Sequence, residues 1–130
     1  MSDVNELRLV LTVPDFDAAL NLYRDALGLD LEAVWESEGG RVVLLSAGRG
    51  TLELVDEAHA AEIDRIEVGR RVAGPVRVAF EVDDSEAVAA RLEDAGATTV
   101  GGPVTTPWND RNVRLETPAG TQLTLFTTLE

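Results

Sequence analysis

The chain has 130 residues, 45% hydrophobic and 27% charged, the length and balance of one folded domain rather than a disordered segment. Its 24 acidic residues face 11 bases, all arginine, and the formal net charge of −13 excludes nucleic acid and anionic membrane as partners, since both require positive potential. The absence of cysteine excludes disulfides, thiolate zinc sites and thiol nucleophiles, and no apolar run reaches the roughly 18 residues of a membrane span.

The first predicted strand alternates Leu7, Leu9, Leu11 and Val13 with Arg8, Val10 and Thr12. Asp15 then caps a predicted helix whose apolar positions Phe16, Leu20, Tyr23 and Leu27 precede the stop at Gly28. Trp35 lies on the next strand, and Gly39–Gly40 reads as a hairpin turn. In "GTLELV", Leu52 and Leu54 oppose Glu53 and Val55. The stretch "DEAHAAEIDRIEVGRRVAGP" predicts a short helix with His59, Ile63 and Ile66 on one packing face, then a crossover marked by Gly69, Gly74 and Pro75.

A second strand of the first kind follows, with Val76, Val78, Phe80 and Val82 opposite Arg77, Ala79 and Glu81. Asp84 or Ser85 caps the next helix, with Val88, Leu92 and Ala95 inward and Gly96 as its stop. Trp108 precedes a strand carrying Arg114 and Glu116, and the last strand sets Leu123 and Leu125 against Gln122, Thr124 and Phe126.

These elements form an internal repeat. "LRLVLTVPDFDAALNLYRDALG" matches "VRVAFEVDDSEAVAARLEDAG", and "RVVLLSAGRGTLELV" matches "NVRLETPAGTQLTLF" without a gap. The predicted architecture is α+β: a single domain of two βαβββ modules, at about residues 5–56 and 75–130 with a connection at about 57–74. Curved mixed sheets would surround a shared cleft, with the helices covering the face of Leu7, Leu9, Leu52, Val78, Phe80 and Leu123. The opposite face mixes charge with Val10, Val55, Ala79 and Phe126, which suits a ligand pocket better than open water.

The duplicated module, the Tyr23-x-x-x-Leu27-Gly28 helix end and the Pro118-x-Gly120 turn resemble the vicinal oxygen chelate superfamily, which includes glyoxalases, extradiol dioxygenases and bleomycin-resistance binding proteins. The resemblance implies metal ligands on four strands, at positions filled here by Arg8, Glu53, Arg77 and Thr124. Guanidinium offers no lone pair, and one carboxylate does not hold a transition metal against water, so neither metal nor other cofactor is expected. Two arginines can instead pair with Glu53 and leave positive charge for a carboxylate, phenolate or phosphate.

The expected function is metal-independent binding or sequestration of a small aromatic or anionic compound. Arg8, Glu53, Arg77, Arg114, Thr124, Phe126, Trp35 and Trp108 are the candidate contacts. The alternative is a lyase, isomerase or dioxygenase-like enzyme using Glu53 or Glu81 as base, or a metal site of unrecognised ligands. A homodimer is expected from the open sheet edges, and "MSDVNELR" lacks the form of a secretory signal, which points to a cytoplasmic address.

Overall fold

The computed structural model describes residues 4–130. Its element order is β1 (Val4–Thr12), α1 (Phe16–Leu20), β2 (Asp30–Ser37), β3 (Gly40–Ala47), β4 (Gly50–Val55), α2 (Glu57–Glu67), β5 (Val76–Val82), α3 (Ser85–Asp94), β6 (Thr98–Thr105), β7 (Asp110–Glu116) and β8 (Gln122–Thr128). The strands form one eight-stranded sheet in the order β2-β3-β4-β1-β5-β8-β7-β6. β1 and β5 pair antiparallel at the centre, and each pairs parallel with the last strand of its own half, β4 or β8. The two halves are thus joined strand to strand, which turns the internal repeat into a continuous curved sheet of mixed type.

Each helix begins where an aspartate accepts from the first-turn amides. Asp15 accepts from Ala18 N at 3.0 Å and Asp56 from His59 N at 2.8 Å. Asp84, rather than Ser85, caps α3 by accepting from Ala87 N at 3.1 Å, while Ser85 donates its hydroxyl to the Arg111 carbonyl. After Leu20 the first helix widens into a π-helical turn over Asn21–Ala26, and Leu27 N bonds back five residues to Leu22 O. The shift rotates the apolar stripe, so Leu27, expected inward, is 65% exposed.

The helices on the convex side cover less of the sheet than the strand pattern predicts. Phe16, Ala19 and Leu20 pack on Val43, Leu45, Leu52 and Leu54, and Ala89 with Val88 and Leu92 packs on Val82, Val113, Leu115 and Leu125. Between them the central strands lie bare: Leu7 is 45% exposed, Leu9 38% and Val76 49%. The expectation that helices cover Leu7 and Leu9 is corrected, because α1 and α3 sit over the flanks of the sheet and not over its central seam.

The third helix settles the other face. α2 lies in the concavity, where Ala60 and Ile63 join Val10, Val42, Val55, Ala79 and Phe126 in a buried cluster. It is held there by charge. Arg114 on β7 is fully buried and donates to Asp64 Oδ1 at 2.7 Å and Glu67 Oε1 at 2.8 Å. Asp64 Oδ2 also accepts from Arg71 and from the amides of Val72 and Ala73, fixing the chain that leaves the helix. Gly101 on β6 passes so close to the Glu67 carbonyl that no Cβ fits between them.

Burial raises the pKa of Asp64, but the Ala73 and Val72 amides and Arg114 outweigh it and hold the carboxyl below its ordinary value. A depressed folded value stabilises the fold above the unfolded pKa, and that contribution is lost as pH falls through the lower folded one. Asp64→Ala should cost near the lower end of about 3–5 kcal/mol at neutral pH, because it removes one of the two carboxylates on a buried guanidinium that keeps Glu67. In urea unfolding, its stability gap to the parent chain should narrow below about pH 4.

Candidate functional site

A cavity of about 410 Å³ opens on the concave face beside α2. Strands from both halves and α2 line it. β1 contributes Arg8, β3 Val42, β4 Glu53, β5 Arg77 and Ala79, and β8 Thr124, Phe126 and Thr128. α2 adds His59, Ile63 and Glu67, while Trp35, Trp108, Asp110 and Asn112 complete the wall. Alternation explains the strand contributions: the residues of β1, β4, β5 and β8 opposite the convex core necessarily face the concavity.

Arg8, Glu53, Arg77 and Thr124 meet there. Register places Val10 against both Glu53 and Arg77, and Ala79 against Arg8 and Thr124, so the four side chains surround the central seam. Arg8 Nη1 lies 3.5 Å from Glu53 Oε1, and Arg77 Nη2 lies 4.0 Å from Glu53 Oε2. Arg77 Nη1 donates to Thr124 Oγ1 at 2.6 Å. Burial pushes the Arg77 pKa down, with Glu67 and Glu53 opposing and Arg114 adding to the fall. Arg8 has a second partner in Glu6, at 3.1 Å, and its guanidinium stacks 4.8 Å from the Phe126 ring centre. The positive surplus read from the sequence is therefore absorbed within the site: Glu53 and Glu6 meet Arg8, and Glu53 and Thr124 meet Arg77.

Arg114 does not line the cavity. Its donors are taken by Asp64, Glu67 and Thr124, and it is 0% exposed, so it serves the α2 attachment and cannot receive a ligand. Glu81 also stands outside the lining, where it accepts from the Thr128 hydroxyl at 3.0 Å. Glu116, beyond the buried stretch of β7, accepts from Gln122. Trp35 and Trp108 are 54% and 43% exposed, as aromatic rings at the rim of a cavity must be.

Eight lining residues were not singled out in the sequence as contacts, Asp110, His59, Glu67 and Asn112 among them. Asp110, half-buried, has its pKa raised by burial, with Arg8 and a hydrogen bond from Trp108 opposing. His59 shares a face with Ile63 as its spacing predicts, but that face is also the cavity wall; burial lowers its pKa against Glu53 and Asp56, leaving a neutral imidazole. Glu67 accepts from Asn112 Nδ2 at 2.8 Å as well as from Arg114. A signal existed for α2: Ala60, Ile63, Asp64 and Glu67 recur at helical spacing, and two acids on an otherwise apolar stripe require a buried cation.

The donor set does not fit a metal. Two guanidinium groups fill the space a cation would need, and Thr124 already accepts from both Arg77 and Arg114. Among the described residues, no group of three or more His, Asp or Glu side chains is placed to hold an ion.

The model of the Glyoxalase/Bleomycin resistance protein/Dioxygenase superfamily matches residues 7–125. No curated protein matches the chain. Among solved structures, methylmalonyl-CoA epimerase from Mycobacterium tuberculosis is similar at TM-score 0.71 and 22% identity, covering 99% of this chain and 91% of that one. A hypothetical protein from Bacillus halodurans C-125 is similar at TM-score 0.71 and 16% identity, covering 99% and 97%. A superfamily member from Vibrio splendidus 12B01 is similar at TM-score 0.62 and 14% identity, covering 94% and 97%.

The central cluster makes a stability prediction. Glu53→Ala leaves Arg8 and Arg77 facing each other without their shared anion and should cost near the lower end of about 3–5 kcal/mol, since Arg8 keeps Glu6. Trp108→Ala at the exposed rim should change stability by no more than about 0.5 kcal/mol. Chemical unfolding of both variants beside the parent chain checks the contrast.

Proposed function

The chain belongs to the Glyoxalase/Bleomycin resistance protein/Dioxygenase superfamily, and from that premise we propose that it binds a small aromatic organic compound in the concave cavity without a metal. The observation carrying this reading is the Arg8–Glu53–Arg77–Thr124 cluster, a self-satisfied polar floor where the resemblance would place metal ligands. Around that floor the wall is largely apolar, with Phe126, Val42, Ala79 and Ile63 inside and two indoles at the mouth. Such a surface gains free energy by covering a flat apolar ligand.

Of the two bases named from the sequence, Glu53 is committed to two arginines, which favours a structural charge over a shuttling one, and Glu81 stands outside the lining. An anion is also poorly served, because Arg8 and Arg77 already have partners. The homodimer remains a proposal as well: a second copy would cover the bare strip of Leu7, Leu9 and Val76 on the convex face. Light scattering that finds only monomer at micromolar concentration removes it.

The binding reading is tested by calorimetry and thermal unfolding with a panel of one- and two-ring aromatic compounds. At least one should raise the melting temperature, with affinity lost in Trp108→Ala and metal content staying far below one ion per chain after incubation with zinc, nickel or manganese. Stoichiometric metal held through Glu53, or catalytic turnover of a bound compound, would overturn the proposal.

A further inference from the structure

We infer that the cavity selects its ligand by positive charge, with Asp110 in its wall as the anion that meets an aromatic ammonium or amidinium group. The inference rests on the binding reading and narrows the class of ligand. It follows from which charges in the cavity are already matched. Arg8 and Arg77 are held by Glu6, Glu53 and Thr124. Glu67 is held by Arg114 and Asn112. Asp110 lines the same cavity and, among the described residues, forms no ion pair; Arg8 and the Trp108 indole are the groups that lower its pKa.

A half-buried carboxylate without an ion pair of its own is costly in a medium of low dielectric, and burial raises its pKa. Glu81 and Glu67 add negative potential at the same point, and Arg8, the opposing cation, is already engaged by two acids. A ligand cation cancels this excess; a ligand anion deepens it. The surrounding surface suits the same choice. Trp35 and Trp108 present exposed indoles at the rim, and an indole face attracts a cation beyond ordinary packing. Trp108 and Asp110 stand two residues apart in the same cavity wall, which lets ring and carboxylate act on one group. The overall charge of −13 draws cations toward the molecule before contact.

The test compares matched probes on the full chain by calorimetry: benzamidine and benzyltrimethylammonium as cations, benzamide as the neutral isostere, and benzoate as the anion. The cations should bind on the order of tenfold tighter than benzamide, and benzoate more weakly still. Asp110→Asn should bring the cations down to the affinity of benzamide and leave benzamide unchanged. Binding of benzoate or benzamide at least as tight as that of the cations overturns the charge assignment while the binding reading stands. So does cation affinity that Asp110→Asn does not alter. Failure of every probe, and of the wider aromatic panel, removes both.

Discussion

The attachment of α2 to the sheet through Arg114 is the constraint on which the rest of the structure depends. A fully buried guanidinium is tolerable only with its donors satisfied, and Asp64 and Glu67 satisfy it from a single helix. That requirement draws α2 into the concavity, where Ala60 and Ile63 complete an apolar cluster and His59, Ile63 and Glu67 become cavity wall. A buried pair of this kind adds little stability over a well-packed hydrophobic alternative, but breaking it by removing one partner is costly. Gly101 enforces the same seating from the β6 side, by leaving no space for a side chain against the Glu67 carbonyl.

The second constraint comes from duplication. Because β1 and β5 pair antiparallel, equivalent positions of the two halves come together at the seam on either side of the Leu9–Val78 pair, and like charges at those positions lie diagonally across it. Arg8 and Arg77 are such a pair. The halves must therefore differ elsewhere: Glu53 in the first supplies the anion for both, while Thr124 in the second supplies a neutral acceptor. With Glu6 already on Arg8, a second carboxylate in place of Thr124 would outbalance the two arginines, and two threonines would leave Arg77 unneutralised.

How much of this was legible in the sequence depended on the range of the interaction. Strand parity is set by adjacent residues, so the common face of Arg8, Glu53, Arg77 and Thr124 could be read from alternation, as could the helix start at Asp15, while Asp84 stayed open against Ser85 and Asp56 was not read. The role of Arg114 could not, because its partners lie 47 and 50 residues away on a helix whose seating no local pattern specifies. Nor could the bare strip at Leu7 and Leu9, since apolar alternation states which face is apolar and not where a helix will rest upon it. Leu27 was misplaced for a local reason, a π-helical turn that breaks the regular spacing assumed for the stripe.

The positions of Trp35 and Trp108 have an optical consequence. They are the only two tryptophans, and both stand at the cavity mouth, with none in the three apolar clusters. Indole emission in this protein therefore originates from partly hydrated rings and reports the state of the entrance, not the integrity of the core. The folded chain should already emit toward the red, and chain unfolding should move that emission little. A molecule that covers either ring, by contrast, would shift it to the blue while the backbone stayed as it was.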